Sequence, residues 1–274
     1  MKFHPASRSR AAFTMVEIAI CLAIIGVGLV AIIGVLPLGM GVQRENREET
    51  IINQDATVLM EAIRNGSRGM DDLTNYIYAI TNYWTLYNNN GAVANSGVNG
   101  YTLTDSSITW TLPAGLFSIT NGLRIVGLLS TPQYLDVNGF PTNNLYSGGY
   151  SNRVYAYVRS LSGLAVEKPP QNNDLMREDS FGYRLLCVNV PLMVDTNVWS
   201  SSFNSPAYKY SQALNINLHE LRLTFLWPQL PNGNVGKGRQ TFRALVAGQI
   251  QTVITNGSQL YFFQPQSFVN PNAP

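Results

Sequence analysis

The segment that decides the fold runs from Arg8 to Gly41 and reads RSRAAFTMVEIAICLAIIGVGLVAIIGVLPLGMG. Its nineteen residues from Ile18 to Leu36 carry no charge, which approaches the roughly 20 apolar residues that a helix needs to span a bilayer. One carboxylate, Glu17, directly precedes this run. An ionised side chain inside hydrocarbon costs about 2.5–3.5 kcal/mol, so Glu17 is a candidate functional residue that needs a partner.

Basic residues precede the apolar run. The first twelve residues contain Lys2, Arg8 and Arg10 and no acid, whereas the segment Arg44 to Glu49 after the run contains both signs of charge. Positive residues are retained on the cytoplasmic side of a membrane. We therefore expect a single-pass membrane protein with a cytoplasmic amino terminus, and with the rest of the chain in the periplasm or outside the cell.

The overall charge of the chain comes from this basic segment. The 274 residues include 18 Lys and Arg and 16 Asp and Glu; without the three basic residues of the first twelve, 15 oppose 16 and the formal charge is −1. Such a body has no electrostatic footprint for nucleic acid. Apolar content of 45% and charged content of 12% favour a folded protein with a sizeable core.

Helical periodicity continues beyond the apolar run. Apolar residues recur at offsets of three, four and seven from Ile51 to Ile63, and Gly66 is a natural stop. These patterns predict one helix from about Thr14 to Asn65, about 78 Å long at 1.5 Å per residue. Pro37 lacks the backbone donor of a helix interior, so we expect a kink or a locally unwound patch there.

The remaining sequence, residues 66–274, predicts a β-rich domain. Short apolar runs with β-branched and aromatic residues are separated by turn residues, which is typical of antiparallel strands. Residues 66–100 read as an irregular or partly helical connector. The predicted strands contain SITWTL from Ser107, GLRIVGLL from Gly122, RVYAYVRSL from Arg153, YRLLCVNVPLMV from Tyr183, LRLTFLW from Leu221, FRALVAGQI from Phe242 and QLYFF from Gln259.

The sequence AAFTMVEIAI resembles the class III signal of type IV prepilins and type II secretion pseudopilins, in which Gly, Phe and Thr are followed by two variable residues and Glu. The resemblance implies that a prepilin peptidase cleaves between Ala12 and Phe13 and N-methylates Phe13. Ala12 stands where the family normally has glycine. Glu17 becomes the fifth residue of the mature chain, the position that the family uses in filament assembly, where it pairs with the Phe13 amino group of a neighbouring subunit.

The same resemblance implies an α+β, pilin-like fold: a leader of residues 1–12, a long helix of residues 13–65 and a large antiparallel β-sheet domain of residues 66–274. It also implies a minor pilin or pseudopilin in the bacterial inner membrane. The expected partners are the prepilin peptidase, other pilin or pseudopilin subunits and the assembly platform of the inner membrane. The segment LHELRLTFLWPQLPNGNVGKGRQTFRALVAG, from Leu218, is similar to large prepilin-like proteins of the Verru_Chthon cassette type.

Two other classes of protein are also compatible with the sequence. One is a single-pass membrane protein that displays a β-rich binding domain and never assembles; in it, Glu17 merely lies at the cytoplasmic interface. The other is a carbohydrate-active enzyme, although the acids form no diagnostic pair. Beyond His4 the only histidine is His219, so histidine triads and zinc sites lack their residues, and we expect no catalytic residue, cofactor or metal.

Several local motifs have structural interpretations. GNVGKG from Gly233 departs from the phosphate-loop pattern and predicts a hairpin loop, and DVNG from Asp136 predicts a tight turn. The two cysteines, Cys21 and Cys187, are not expected to pair, because the first lies in the apolar run. The aromatic residues form either a β core or a surface that recognises a partner or carbohydrate: Tyr76, Tyr78, Tyr83, Trp84, Tyr87, Trp110 and Trp199.

Overall fold

A computed structural model describes residues 13–66, 70–103, 117–142, 148–162, 181–192, 205–255 and 258–270. It contains a long amino-terminal helix and a large mixed β-sheet, so the predicted α+β layout is confirmed. The chain divides into two compact units after Thr50.

Helix α1 extends from Met15 to Arg64 and confirms the predicted long helix. Its most apolar part has a mean hydropathy of 3.0 and buries none of its residues within the protein. By length and composition α1 is therefore able to cross a membrane. The helix continues through Pro37 without interruption, so the prediction of an unwound patch at this residue is wrong. Loss of one backbone hydrogen bond is evidently tolerated within so long a helix.

The other elements follow α1 in chain order. They are a 3₁₀ helix (Asp71–Asn75), β1 (Ile77–Tyr87), β2 (Val93–Leu103), β3 (Phe117–Ile119), α2 (Gly122–Leu129), β4 (Tyr134–Leu135), β5 (Gly149–Arg159), β6 (Gly182–Pro191), α3 (Pro206–Asn217), β7 (Leu218–Gln229), β8 (Val235–Ala247), β9 (Gln249–Thr255) and β10 (Ser258–Gln264).

The main sheet has the strand order β3-β2-β1-β5-β6-β7-β8, with β4 paired to β5, and β9 and β10 form a separate hairpin. All of these pairs are antiparallel except β2 with β3, which run parallel from the pair Tyr101 and Phe117 to the pair Leu103 and Ile119. The prediction of an antiparallel sheet is therefore correct for the main path and wrong for this short edge strand.

The core of the second unit lies between the sheet and the end of α1. Ile52, Ala56, Leu59 and Ile63 recur every three or four residues and are at most 2% exposed, so they form one face of the helix. They belong to a continuous apolar cluster with alternate residues of the central strands. The other members include Ile80, Val154, Ala156, Val158, Leu185, Cys187, Leu221, Leu223 and Phe225. From Ile52 onward the buried apolar residues of α1 lie on one face, because only that face is covered by the sheet.

One buried carboxylate connects α1 to the sheet. Asp55 is 0% exposed and accepts hydrogen bonds from the Leu161 backbone N–H and the Tyr183 hydroxyl, both at 3.0 Å, and from the Ser162 hydroxyl. Desolvation raises the pKa of Asp55, and the three hydrogen bonds oppose that shift. The donors come from the chain after β5 and from β6, so Asp55 fixes the rotation and height of the helix on the sheet.

Three parts of the sheet unit differ from the sequence predictions. GLRIVGLL forms helix α2, not a strand; Asn121 caps it by accepting from the Arg124 N–H at 2.9 Å. All of its apolar residues except Leu123 are buried, and a short, mostly apolar run cannot be assigned to helix or strand by its periodicity. Residues 66–100 contain β1 and β2, so the irregular connector is wrong beyond the 3₁₀ helix. Helix α3 was not predicted. SITWTL, Trp110 and Trp199 lie outside the described residues.

Candidate functional site at the start of the long helix

Glu17 and Thr14 form a reciprocal cap at the first turn of α1. The Glu17 N–H donates to Thr14 Oγ1 at 3.3 Å, and the Thr14 N–H and hydroxyl both donate to Glu17 Oε2 at 2.9 Å. Thr14 is the residue before the helix and Glu17 is its third residue, the arrangement called a capping box. The cap satisfies two backbone donors that a helix start leaves without intrahelical partners.

This cap is the functional feature that the sequence analysis missed. Its signal is present in the sequence, since Thr14, Met15, Val16 and Glu17 match the pattern Ser or Thr, two variable residues, then Glu before an apolar run. The cap gives Glu17 a partner inside its own chain, which weakens the argument that the carboxylate needs one from elsewhere. Both Thr14 donors reach Oε2, and among the described residues no donor reaches the other carboxylate oxygen, Oε1.

The structure describes only one of the two residues at the expected cleavage site. Phe13 directly precedes Thr14 and is 82% exposed. Ala12 lies outside the described residues, so the geometry of the Ala12 to Phe13 bond is not described. Cleavage at that bond leaves the Thr14 amide intact, because Thr14 remains linked to Phe13. The capping box is therefore compatible with both the full chain and the processed chain.

An uninterrupted apolar surface follows the cap. Every large apolar side chain described between Met15 and Val42 is at least half exposed. Water solvates such a surface poorly, at about 25 cal/mol for each Å² that is left uncovered. This part of α1 therefore requires a lipid bilayer or a set of similar helices around it.

After Glu17, the next charged residue is Arg44, beyond the end of this surface. Arg44 and Glu48 form an ion pair of 2.9 Å one helical turn apart, a geometry that contributes a few tenths of a kcal/mol at an exposed site. The sharp change from apolar to charged residues marks one boundary of the part of α1 that is suited to hydrocarbon.

The other candidate groups are structural in this fold. His219 is 2% exposed at the start of β7, and its Nε2 lies 3.3 Å from the Ile216 carbonyl oxygen. Burial lowers the pKa of His219 to about 4, so the ring is neutral at physiological pH. Cys21 and Cys187 are free, as predicted. Among the described residues, no three His, Cys, Asp or Glu side chains form a group able to hold a metal ion.

The loop motifs have the predicted structures only in part. Strands β7 and β8 pair as a hairpin, but the loop between them is shorter than predicted: Gly233 and Asn234 lie in the turn, whereas Val235 to Gly238 belong to β8. Asp136 and Gly139 close a tight turn through a backbone hydrogen bond of 3.1 Å, and Gly139 has a φ of 84°. That φ favours glycine, because a side chain there would be strained. Of the aromatic residues, Tyr76 and Tyr78 are buried and Tyr83 is 37% exposed.

Comparison with protein-family models, with curated proteins and with solved structures found no match. The candidate site consequently rests on its residues alone. They bring together a capped helix start, an ionisable carboxylate with one oxygen available, and a long exposed apolar surface. This arrangement suits noncovalent association in an apolar medium.

Proposed function

We propose that this chain is a minor pilin or pseudopilin-like structural subunit, anchored in the bacterial inner membrane and assembled into a filament of the type II secretion or type IV pilus kind. The observation that carries the proposal is the exposed apolar surface of α1 with its single carboxylate at the amino-terminal end. A membrane anchor alone requires the apolar surface but not the compound sequence Ala12, Phe13, Thr14 and Glu17. The resemblance of that sequence to prepilin signals supports processing.

Processing supplies a second partner for Glu17. Cleavage between Ala12 and Phe13 creates a positively charged amino group, and methylation preserves its charge. In a bundle of such helices, an unpaired charge of either sign costs free energy because it has lost its hydration. The amino group of one subunit and the Glu17 carboxylate of an adjacent subunit neutralise each other. Oε1 of Glu17 accepts the incoming amine while Oε2 keeps the Thr14 cap. The pair then sets the axial stagger between subunits.

The size of the sheet unit supports a minor position in the filament. Major subunits repeat densely around a thin filament, whereas the unit from Ile51 onward is large. A subunit that occurs sparsely along the filament, or near its tip, has room for a unit of this size. Its partners are the prepilin peptidase, other pilin or pseudopilin subunits and the inner-membrane assembly platform.

Intact mass spectrometry of the full chain tests this proposal. Coexpression with a prepilin peptidase is expected to yield a chain that begins with N-methylated Phe13, whereas expression without the peptidase leaves the leader attached. Phe13→Asp blocks cleavage or methylation, and Phe117→Asp controls for a charge placed in the sheet unit. A chain that stays uncut in the presence of an active peptidase contradicts the proposal and favours a plain membrane-anchored binding protein.

A further inference from the structure

Along β1 and β5, the face of the main sheet that covers the core changes from apolar to polar residues. Ile80 and Val154 face the core and are at most 2% exposed. The next residues on the same face are Asn82 in β1 and Asn152 in β5, since alternate residues of a strand share a face. Amide side chains therefore replace the apolar core residues at these two positions.

A cleft of about 560 Å³ lies over this polar part of the face. Strands β1, β2 and β5 form its floor, and the end of α2, the turn around Gly139 and the β9–β10 hairpin form its walls. Its volume falls within the roughly 300–1,000 Å³ of small-molecule sites. All of these elements belong to the unit that begins at Ile51.

Trp84 provides a rigid aromatic wall. It stands opposite Gly97 in the register of β1 and β2, and a Cβ atom at Gly97 would approach the Trp84 ring to 2.6 Å. The indole thus lies against the bare backbone of Gly97. Tyr150 contacts it edge-on, with the ring centroids 6.1 Å apart. Packing on two sides holds the indole in one orientation at the cleft.

The floor of the cleft is a fixed array of amide groups. Asn82 Nδ2 donates to Asn152 Oδ1 at 2.9 Å, and Asn152 Nδ2 donates to the Pro132 carbonyl oxygen at 3.3 Å. Asn82 Oδ1 is buried and has no hydrogen-bond partner among the described residues. Asn99 lies opposite Asn82 in the register and also lines the cleft.

The wall of the cleft is also pre-organised. The Tyr261 hydroxyl is 3.0 Å from the Gly139 carbonyl oxygen and 3.1 Å from Gln259 Oε1. These contacts connect the turn around Gly139 to the β9–β10 hairpin. A site that is already ordered loses little entropy when a ligand binds.

The described residues that line the cleft include no Asp, Glu, Lys or Arg. Arg124 lies behind the wall, where it donates to Ser258 Oγ at 2.9 Å, and does not line the cleft. An ionised ligand would therefore lose its hydration without gaining an ion pair with a lining residue. A neutral ligand with many hydroxyl groups and an apolar C–H face matches both the amides and the indole. We propose that this cleft binds a short neutral saccharide, with Trp84 packing against a sugar ring and Asn82, Asn99 and Asn152 facing its hydroxyls.

Titration calorimetry on the full chain tests this assignment, in a zwitterionic detergent without a sugar headgroup. The probes are maltotriose, cellotriose and tri-N-acetylchitotriose, and trigalacturonic acid is the charged comparison. We expect at least one neutral probe to bind with a Kd between about 10 μM and 1 mM, and trigalacturonic acid to bind at least about tenfold more weakly. The proposal fails if no neutral probe binds below about 10 mM, or if the charged probe binds equally well.

Variants locate the site. Trp84→Ala should weaken binding about tenfold, and Trp84→Phe should restore part of it. Tyr83→Ala is the matched control, because Tyr83 is the adjacent aromatic residue on the opposite face of β1, and it should change Kd less than about twofold. Loss of binding in Tyr83→Ala, or unchanged binding in a folded Trp84→Ala, overturns the assignment. If thermal unfolding shows that Trp84→Ala is unfolded, Asn99→Ala decides, with an expected loss of about fivefold. Neither outcome depends on processing or filament assembly.

Discussion

Removal of the Asp55 carboxylate should destabilise the sheet unit strongly. Asp55→Ala leaves three donors without their acceptor: the Leu161 N–H and the hydroxyls of Ser162 and Tyr183. Tyr183 is 0% exposed, so its hydroxyl has no access to water. One such buried donor costs about 1–3 kcal/mol, and Leu161 and Ser162 are only partly buried. We therefore expect a loss of about 3–4 kcal/mol in the free energy of unfolding.

Asp55→Asn should cost less, about 1–2 kcal/mol. The amide keeps one acceptor oxygen, and the two hydroxyl groups are able to reverse and accept from its NH₂ group. The Leu161 N–H can only donate, so it alone must keep the acceptor oxygen. The order of stability should therefore be wild type, then Asp55→Asn, then Asp55→Ala.

Urea unfolding of the full chain in detergent micelles, followed by tryptophan fluorescence, measures these differences. Asp72→Ala is the matched control, because Asp72 is exposed in the 3₁₀ helix, and it should lie within about 0.5 kcal/mol of wild type. If Asp55→Ala unfolds at the wild-type urea concentration with an unchanged slope, Asp55 does not hold α1 on the sheet.

Three further predictions follow from other contacts. Burial raises the pKa of Asp55, so the part of the stability that is linked to protonation of this group is fully present below about pH 4 and is lost as the pH rises through the folded-state pKa; this pH dependence should disappear in Asp55→Asn. Thr14→Val removes the acceptor of the Glu17 N–H and should cost about 1 kcal/mol at the helix start, seen as faster amide exchange at Glu17, whereas Thr50→Val should leave that amide unchanged. Burial raises the pKa of the Cys187 thiol, so in Cys21→Ser maleimide should label Cys187 only after urea is added; rapid labelling of the folded chain would contradict its burial.

The sequence predicts the elements whose periodicity is strong. Helix α1 has a continuous apolar run followed by residues three or four apart, and both signals survive into the structure. Strand β6 alternates buried and half-buried residues from Gly182 to Pro191, which is the period of a sheet with one covered face. In both elements, the spacing of apolar residues along the chain matches the surroundings that the fold gives them.

Other elements depend on tertiary contacts that leave no local pattern. Helix α2 is short and buries every residue except Leu123, so its mostly apolar sequence resembles that of a buried strand. Strand β2 carries amides and small residues where a core strand is normally apolar. Strand β1 does have the β-branched and aromatic residues of a strand, and the sequence analysis overlooked that signal. If the cleft binds a ligand, the feature that hides β2 from sequence analysis also serves function.

The candidate assembly site was only partly accessible from sequence. The apolar run and Glu17 are evident without a structure, but the cap formed by Thr14 depends on the position at which the helix begins. Helix boundaries are uncertain by one or two residues even in known structures. The cap and the proposed pair with a neighbouring amino group use different oxygens of the same carboxylate, so one residue serves both roles.

The most direct test of the central claim separates processing from assembly at Glu17. Glu17→Ala should still be cut by the prepilin peptidase and should still fold, but should enter filaments poorly in cells that carry the assembly machinery. Glu61→Ala is the matched control on the exposed surface of the same helix, and it should be incorporated normally. Filament fractions quantified by immunoblot should contain at least about tenfold less of the Glu17 variant than of the control. Equal incorporation of the two processed variants would contradict the role assigned to the carboxylate.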